Sequence, residues 1–205
     1  MADIRISDLT AATSIASTDL FVISQDNGDT TFTSKKITGA NFDMVKGLRH
    51  YGLLATDPTT PTPADGDEYY NTVLDKKMYY DIGRSKWLSV ETMIIYFGRS
   101  GDTAAATYYR AIDGLPYSGT NGVYLPWNGV ITGLGYTRDD SDSATFEVTA
   151  DGVGTAATLA STAIEGASTS FNVDVTSGEV IGIKNQTGAN ITTNVNGWVF
   201  LKWRI

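Results

Sequence analysis

The sequence predicts an all-β protein built from three successive segments. Short runs of aromatic and β-branched residues recur along most of the chain, and Gly, Asn, Asp and Ser separate them at the spacing of turns. Such runs are typical of strands, because branched and aromatic side chains pack well on a pleated surface. With 205 residues, 41% of them hydrophobic, the chain is long and apolar enough to bury a core of its own.

Residues 1–48 form the first segment, which has too few apolar residues for a self-sufficient core. Ile4 and Ile6 alternate in an opening strand, and "LFVIS" reads as a second strand. The sequence DNGD at residues 26–29 predicts a tight turn, after which "TTFTSKKIT" returns as the other arm of a hairpin. A helical turn is expected in "GANFDMVKGLRH". A segment of this kind is expected to dock against another structure.

Residues 49–91 combine a proline-rich spacer with a small ribbon. Pro58, Pro61 and Pro63 predict an extended spacer, because proline fixes its backbone angle and donates no amide hydrogen bond. The stretch "DGDEYYNTVLDKKMYYDIGRSKWLSV" then predicts three short strands with two turns between them. A meander of this size buries too little apolar surface to be stable alone, so the ribbon must pack on something else.

Residues 92–205 read as a train of short β runs, from "TMIIYFG" through "GVITGLGYTR" and "ATFEVTADG" to "GWVFLKWRI". Their number and spacing predict an all-β sandwich. The Ala-, Ser- and Thr-rich piece "TAATLASTAIEGASTS" is interpreted as a strand and a loop.

The last run, "GWVFLKWRI", has large apolar residues on both faces of the predicted strand. Because side chains alternate along a strand, Trp198 and Phe200 fall on one face and Trp203 on the other. One face suits the sandwich core. Two interpretations remain for the other face: it carries scattered surface aromatics, or neighbouring copies of the chain bury Trp198 and Phe200. We favour the second, because exposed aromatic surface is costly in water.

Composition excludes several functions. The formal charge of −8, from 23 acidic and 15 basic residues spread along the chain, argues against a nucleic-acid partner. The chain has no cysteine, which excludes disulfides and thiolate zinc sites. The sequence contains no run of eighteen apolar residues, so no membrane-spanning helix is predicted. The N-terminus also lacks the apolar stretch of a secretion signal, so synthesis in a cytoplasm is expected.

No catalytic, cofactor or metal site is predicted. The loop "TRDDSDSATF" brings Asp139, Asp140 and Asp142 together, but it lacks the EF-hand spacing and is interpreted as a solvated turn, with Ca²⁺ binding left open. The single histidine, His50, cannot form a multi-histidine metal site. Carboxylate pairs for glycoside hydrolysis could be drawn from several acids without any reason to prefer one pair. These acids are Asp102, Asp113, Glu147 and Asp174.

Loop aromatics offer a possible ligand contact. Tyr108, Tyr117 and Trp127 could stack on sugar rings, although core or interface packing is the favoured interpretation for each of them singly.

Three parts of the chain resemble bacteriophage fibre and head-fibre proteins. The opening "MADIRISDLTAATSIASTDLFVISQDNGDTTFTSKKITGANF" resembles their N-terminal segments, and "ADGDEYYNTVLDKKMYYDIGRSKWLSV" resembles a short element common in them. The end of the chain, with "YLPWNGVITGLGYTRDDSDSATFEVTADG", "FNVDVTSGEVIGIKN" and "GWVFLKWRI", is similar to the jelly-roll heads of the tumour-necrosis-factor and complement type found at fibre tips.

The resemblance implies a trimeric structural protein on the surface of a tailed-phage virion. Residues 1–48 would anchor it to other virion proteins of the capsid or tail, residues 49–91 would form a neck, and residues 92–205 a jelly-roll head. Three copies of the ribbon would together bury the Tyr, Met and Trp side chains that one copy cannot. The head would serve host attachment, with surface polysaccharide as a possible receptor, or capsid decoration. Tail-fibre and head-fibre locations both stay open. The alternative is a small polysaccharide-binding or polysaccharide-degrading surface protein.

Overall fold

The structure is a computed structural model that describes residues 20–26, 32–38, 49–101, 103–141, 143–188 and 194–205. The chain divides into two compact units, Met1–Leu48 and Arg49–Ile205. In the first unit, strands β1 (Leu20–Asp26) and β2 (Phe32–Thr38) pair antiparallel, with Leu20 opposite Thr38. The predicted hairpin is therefore confirmed. The predicted strand at Ile4 and Ile6, and residues 39–48 of the predicted helical turn, lie outside the described residues.

The second unit begins with a four-stranded ribbon sheet. Its strands are β3 (His50–Leu54), β4 (Glu68–Asn71), β5 (Lys76–Asp81) and β6 (Lys86–Ser89), in that order. The antiparallel strands β4, β5 and β6 confirm the three-stranded ribbon predicted from sequence. Strand β3 was not predicted, and it pairs parallel with β4.

The rest of the unit forms two antiparallel sheets. Sheet I has the order β11-β10-β14-β8, and sheet II has the order β12-β9-β15-β7 with β13 also beside β9. Neither sheet closes into a barrel. The strands are β7 (Thr92–Arg99), β8 (Val123–Tyr124), β9 (Gly129–Arg138), β10 (Ala144–Ala150), β11 (Val153–Ser161), β12 (Glu165–Ser168), β13 (Val173–Val175), β14 (Val180–Gly188) and β15 (Val195–Trp203).

The inner faces of sheets I and II share one apolar core, because alternating residues of their strands point inward. The ring of Tyr136 on β9 stacks on Phe146 of β10, with centroids 4.3 Å apart. Phe97 of β7 lies 6.1 Å from the same phenylalanine. Across the residues that the structure describes there is no helix, so the all-β prediction is confirmed and the arrangement is consistent with the predicted β-sandwich.

The ribbon buries its aromatic residues within a single chain. Tyr51, Tyr69 and Tyr80 surround the Trp87 ring, with centroids 5.7, 5.0 and 5.3 Å from it. The Trp87 indole Nε1 donates a hydrogen bond to the carbonyl of Pro58 at 3.0 Å, and Trp87 is only 4% exposed. The expectation that three copies of the ribbon are needed to bury these side chains is therefore wrong. The spacer and β3 fold back over the ribbon and supply the missing cover.

Candidate interaction surface

The outer face of sheet II carries the aromatic residues that sequence analysis singled out. Along β15, Val199, Leu201 and Trp203 are buried, whereas Trp198 and Phe200 are only partly buried. The predicted alternation is present. The irregularity in this pairing adds an extra residue to β9, so the faces of β15 are not exchanged.

Two glycines of β9 hold these aromatic rings against the sheet. Trp198 pairs with Gly135, and Phe200 pairs with Gly133. A Cβ atom on Gly135 would lie 2.5 Å from the Trp198 ring, and one on Gly133 would lie 2.9 Å from the Phe200 ring. Only glycine leaves room for rings that lie this close to the backbone. The two side chains are thus positioned flat across β9.

Strand β7 extends this apolar surface. Tyr96 lies opposite Trp198 and Ile94 lies opposite Phe200, and directly opposite residues of antiparallel strands share a face. Tyr96 is 52% exposed and Ile94 is 44% exposed. We call Ile94, Tyr96, Trp198 and Phe200 the open patch. Sequence analysis missed the two β7 residues, although the alternation in "TMIIYFG" carries the signal.

The ribbon covers the neighbouring part of the same face. Val130, which lies opposite Lys202 of β15, is completely buried although it belongs to the outer face. Leu88 of the ribbon is also completely buried. The Lys202 ammonium donates to the carbonyls of Ser89 and Val90, at 3.0 and 3.1 Å, and lies 4.9 Å from the centre of the Tyr79 ring.

The electrostatics of Lys202 reflect this cover. Burial, followed by the nearby positive charge of Arg84, lowers the pKa of the Lys202 ammonium below its usual value. The acceptors supplied by the ribbon backbone compensate part of the lost hydration.

Arg84 fixes the ribbon to sheet II. Its Nε donates to the carbonyl of Phe171 at 2.7 Å, and its Nη2 donates to the carbonyl of Thr169 at 2.6 Å. Its Nη1 forms an ion pair with Asp81 at 2.5 Å, which orients the guanidinium. A planar guanidinium suits this role because it directs several donors at fixed angles. We call the outer-face area around Val130 and Lys202 the covered patch.

The three predicted ligand contacts lie on different elements. Tyr117 is 4% exposed and its hydroxyl donates to the carbonyl of Tyr96, so its ring is packed inside the protein and does not face a ligand. Tyr108 is partly buried beside β14, where its ring approaches Gly182. Trp127 is 38% exposed and its ring lies edge-on to Trp203, 5.5 Å away. The structure does not assemble these three residues into one site.

The candidate acids are held by cations or lie apart. Glu147 is buried and pairs with Lys184 at 2.8 Å, while Asp174 pairs with Lys86 at 2.7 Å. Asp113 is exposed in a loop and accepts a hydrogen bond from the backbone of Leu115. Asp102 lies outside the described residues.

The acidic loop offers no metal site within the described part of the chain. Asp139 accepts a hydrogen bond from the amide of Asn194 at 2.7 Å, and Asp142 lies outside the described residues. Where side chains are described, no group of three or more His, Cys, Asp or Glu residues could hold a metal ion.

An open cleft of about 670 Å³ lies at the end of β7 and β15 that is distant from the ribbon. Its walls include Tyr96 from the open patch, two arginines, Arg99 and Arg110, and the carboxylate of Asp139. The cleft therefore combines an exposed aromatic ring with cationic donors.

Comparisons of the chain with protein-family models, with curated proteins and with solved structures gave no match. Within the described ranges, no helix is long and apolar enough to cross a bilayer.

Proposed function

We propose that this chain is a structural protein of a tailed-phage virion, a trimeric fibre whose jelly-roll head serves host attachment or capsid decoration. The open patch carries this proposal, because it is contiguous apolar surface on a fixed sheet that no described segment of Arg49–Ile205 covers. Surfaces of this kind mark protein interaction sites.

The strand order supports a jelly roll. When β12 and β13 are counted as one strand, the eight strands of the two sheets follow the order 1-8-3-6 in sheet II and 2-7-4-5 in sheet I. The first strand lies beside the last, and consecutive strands of the chain mostly lie in different sheets. Two antiparallel sheets connected in this way are what a double Greek key produces.

Three-fold assembly through the open patch would bury Tyr96 and the remaining exposed parts of Trp198 and Phe200. In a closed ring of identical subunits, every copy of such a surface is buried against a neighbouring subunit, and no surface remains open for further subunits to add. The aromatic content also fits, because tryptophan, tyrosine and phenylalanine are enriched at interface centres.

The first unit is proposed to attach the fibre to the capsid or tail. Its described strands, β1 and β2, form a two-stranded hairpin, which is marginal in isolation and gains stability from a partner. The fibre would be located on the virion surface, away from nucleic acid and without membrane insertion.

Localisation in intact particles tests the proposed function. Phage that carries an epitope at the C-terminus of this protein, incubated with gold-labelled antibody, should show gold at fibre tips or on the capsid surface by electron microscopy. A chain that lacks residues 1–48 should fold as residues 49–205 but remain unincorporated. Label-free particles, or full incorporation of the truncated chain, would contradict the proposal.

Binding of a surface polysaccharide is a second candidate, favoured by the distal cleft. Tyr96 offers a ring for stacking, and Arg99 and Arg110 offer donors to hydroxyl or carboxylate groups. We propose binding without cleavage, because hydrolysis needs two carboxyl groups about 5 to 10 Å apart across the scissile bond, and Glu147 and Asp174 are each paired with lysine. Calorimetric titration with purified host polysaccharide should give saturable heat that the Arg99→Met variant loses.

A further inference from the structure

Two arginines flank a buried valine at the end of the sheets distant from the ribbon. Val195 of β15 pairs with Arg99 of β7 on one side and with Arg138 of β9 on the other. Val195 is buried in the core between the sheets. Because directly opposite residues share a face, Arg99 and Arg138 leave the backbone on the same inner side of sheet II.

Arg138 is a buried cation with unused donors. The residue is 6% exposed, its Nε donates to the carbonyl of Ala163 at 2.9 Å, and its guanidinium carbon lies 5.7 Å from the centre of the Tyr136 ring. Both terminal nitrogens, Nη1 and Nη2, are buried and have no hydrogen-bond partner among the residues that the structure describes. Within the described residues, no carboxylate forms an ion pair with it.

A second unused donor belongs to the set of stacked rings against which Arg138 packs. Tyr109 is completely buried, and its hydroxyl has no hydrogen-bond partner in the described part of the chain. The Tyr109 ring stacks on Phe146, with centroids 5.6 Å apart, and Phe146 in turn stacks on Tyr136. The guanidinium of Arg138 lies over the Tyr136 ring. Burial raises the pKa of Tyr109 and outweighs the opposing effect of the Arg138 and Arg99 charges, so the phenol stays protonated and keeps its O–H donor.

These groups are all hydrogen-bond donors, and two of the three are positively charged. An unpaired cation that is removed from water is strongly unfavourable unless a counter-charge accompanies it. A water molecule could accept hydrogen bonds here but would leave the charge uncompensated. An anion satisfies both requirements at once.

We propose that a small inorganic anion of about the size of chloride binds between the terminal nitrogens of Arg138 and the hydroxyl of Tyr109, with Arg99 adding positive potential. The donor atoms are enclosed, which excludes a large ligand. The distal cleft, lined by Arg99 and Val195, offers the route of entry. The bound anion would hold the ends of β7 and β9 together where the chain leaves the sheets. This site is independent of the proposed virion role.

Thermal unfolding of the full chain at constant ionic strength tests the site. Replacement of sodium gluconate by sodium chloride should raise the midpoint, because an anion that binds only the folded state stabilises it, by roughly 5 to 10 °C once its concentration is a hundred times the Kd. Bromide should behave as chloride does, and gluconate is too large to enter. Equal midpoints in gluconate and chloride would overturn the proposal.

Variants assign the effect to the named donors. Tyr109→Phe keeps the stacked ring and removes only the hydroxyl, so the chloride-dependent shift should fall by at least half. Arg138→Met should abolish the shift, and its own midpoint in gluconate shows whether it folds. Arg110→Met is the matched control, because Arg110 is exposed on the cleft wall and should leave the shift unchanged.

A crystal soaked in sodium bromide gives a direct readout. The anomalous difference map should contain a peak within hydrogen-bond distance of the Arg138 nitrogens and the Tyr109 hydroxyl, and the peak should be absent from the Arg138→Met variant. A full shift in both the Tyr109 and Arg138 variants, or an anomalous map without a peak at this position, would overturn the assignment.

Discussion

The covered patch and the open patch lie side by side on the outer face of sheet II, but they differ in burial. Over the covered patch, Val130 and Leu88 are completely buried, and Arg84 and Lys202 donate hydrogen bonds across the contact. Over the open patch, Ile94 and Tyr96 remain about half exposed, and no segment in the described part of the unit lies across them.

The difference shows that the ribbon covers only part of the apolar surface on the outer face of sheet II. The covered patch has an apolar centre and a rim of charged hydrogen bonds, which is the usual composition of a protein interface. The open patch has the apolar centre alone. We therefore infer that the ribbon covers its part of sheet II within one chain in the way that a second copy of the chain would cover the open patch in the proposed trimer.

The largest expected effect separates two tryptophans of β15. Trp203 is 7% exposed and belongs to the core, so Trp203→Ala should lower the free energy of unfolding by about 3 to 5 kcal/mol. Trp198→Ala removes a side chain of the open patch and should leave the sheets folded while it weakens assembly. Urea unfolding of both variants, with sedimentation at several concentrations, separates the two effects. Equal losses of folding stability would erase the distinction between the patches.

A second pair compares aliphatic side chains of the two patches. Leu88→Ala should cost about 2 to 5 kcal/mol, because it leaves a cavity between the ribbon and sheet II. Ile94→Ala removes a side chain of the same size from exposed surface and should change folding stability little, within about 0.5 kcal/mol. Denaturant titrations of dissociated protein check this comparison. A large loss from Ile94→Ala would mean that the open patch is covered by its own chain.

The attachment of the ribbon depends on the shape of the Arg84 side chain. Arg84→Lys should lose about 1.5 to 3 kcal/mol, because an ammonium cannot reach the carbonyls of Phe171 and Thr169 together. Lys86→Arg, in the same ribbon, is the matched control. Lys86 forms an ion pair with the half-exposed Asp174, and an arginine can keep this pair, so little change in stability is expected. Thermal unfolding of the two variants measures this. Full stability of Arg84→Lys would show that charge alone holds the ribbon.

The smallest effect concerns the acids that hold the spacer over the ribbon. Burial raises the pKa of Asp67, but hydrogen bonds from Ala64 and from the Arg49 side chain outweigh it, so the folded pKa lies below the unfolded value. Its stabilisation is therefore fully present above the unfolded pKa and is lost as the pH falls through the folded pKa. The difference in unfolding free energy between wild type and Asp67→Asn should be largest near neutral pH and should shrink below about pH 4.

Asp57 provides the control of opposite sign. Burial raises its pKa, although it accepts a hydrogen bond from the Tyr69 hydroxyl. A raised carboxyl pKa means that the folded state takes up a proton more readily, so wild type should gain stability relative to Asp57→Asn as the pH falls. Parallel pH profiles for the Asp67 and Asp57 variants would contradict these environments.

The sequence predicts the elements whose own residues carry the pattern. The ribbon strands and β15 show aromatic and β-branched alternation bounded by turn residues, and they were found where expected. Strand β12, with the sequence EGAS, has none of those residues, and the sequence predicts a loop there. Strand β3 pairs parallel with β4 across the whole proline spacer, and such long-range pairing leaves no local signal.

Only half of the open patch can be predicted from the sequence, because the other half depends on which strands are neighbours in the sheet. Alternation within "GWVFLKWRI" identified Trp198 and Phe200, but the contribution of Ile94 and Tyr96 depends on β7 being the neighbour of β15, which is a property of topology. The sequence predicts an extended spacer and therefore an uncovered Trp87, whereas the spacer lies against the indole and accepts its hydrogen bond at the carbonyl of Pro58. The burial of Arg138 has no signal in the sequence, because it follows from the pairing of Arg138 with the buried Val195.

The mass of the protein in solution tests whether the open patch is an interface between copies of the chain. Light scattering coupled to gel filtration at micromolar concentration should give three times the chain mass of 22.0 kDa, and Trp198→Ala and Phe200→Ala should shift it toward one chain while Ile82→Ala, an exposed ribbon residue, should not. A wild-type mass of one chain at that concentration would contradict the account.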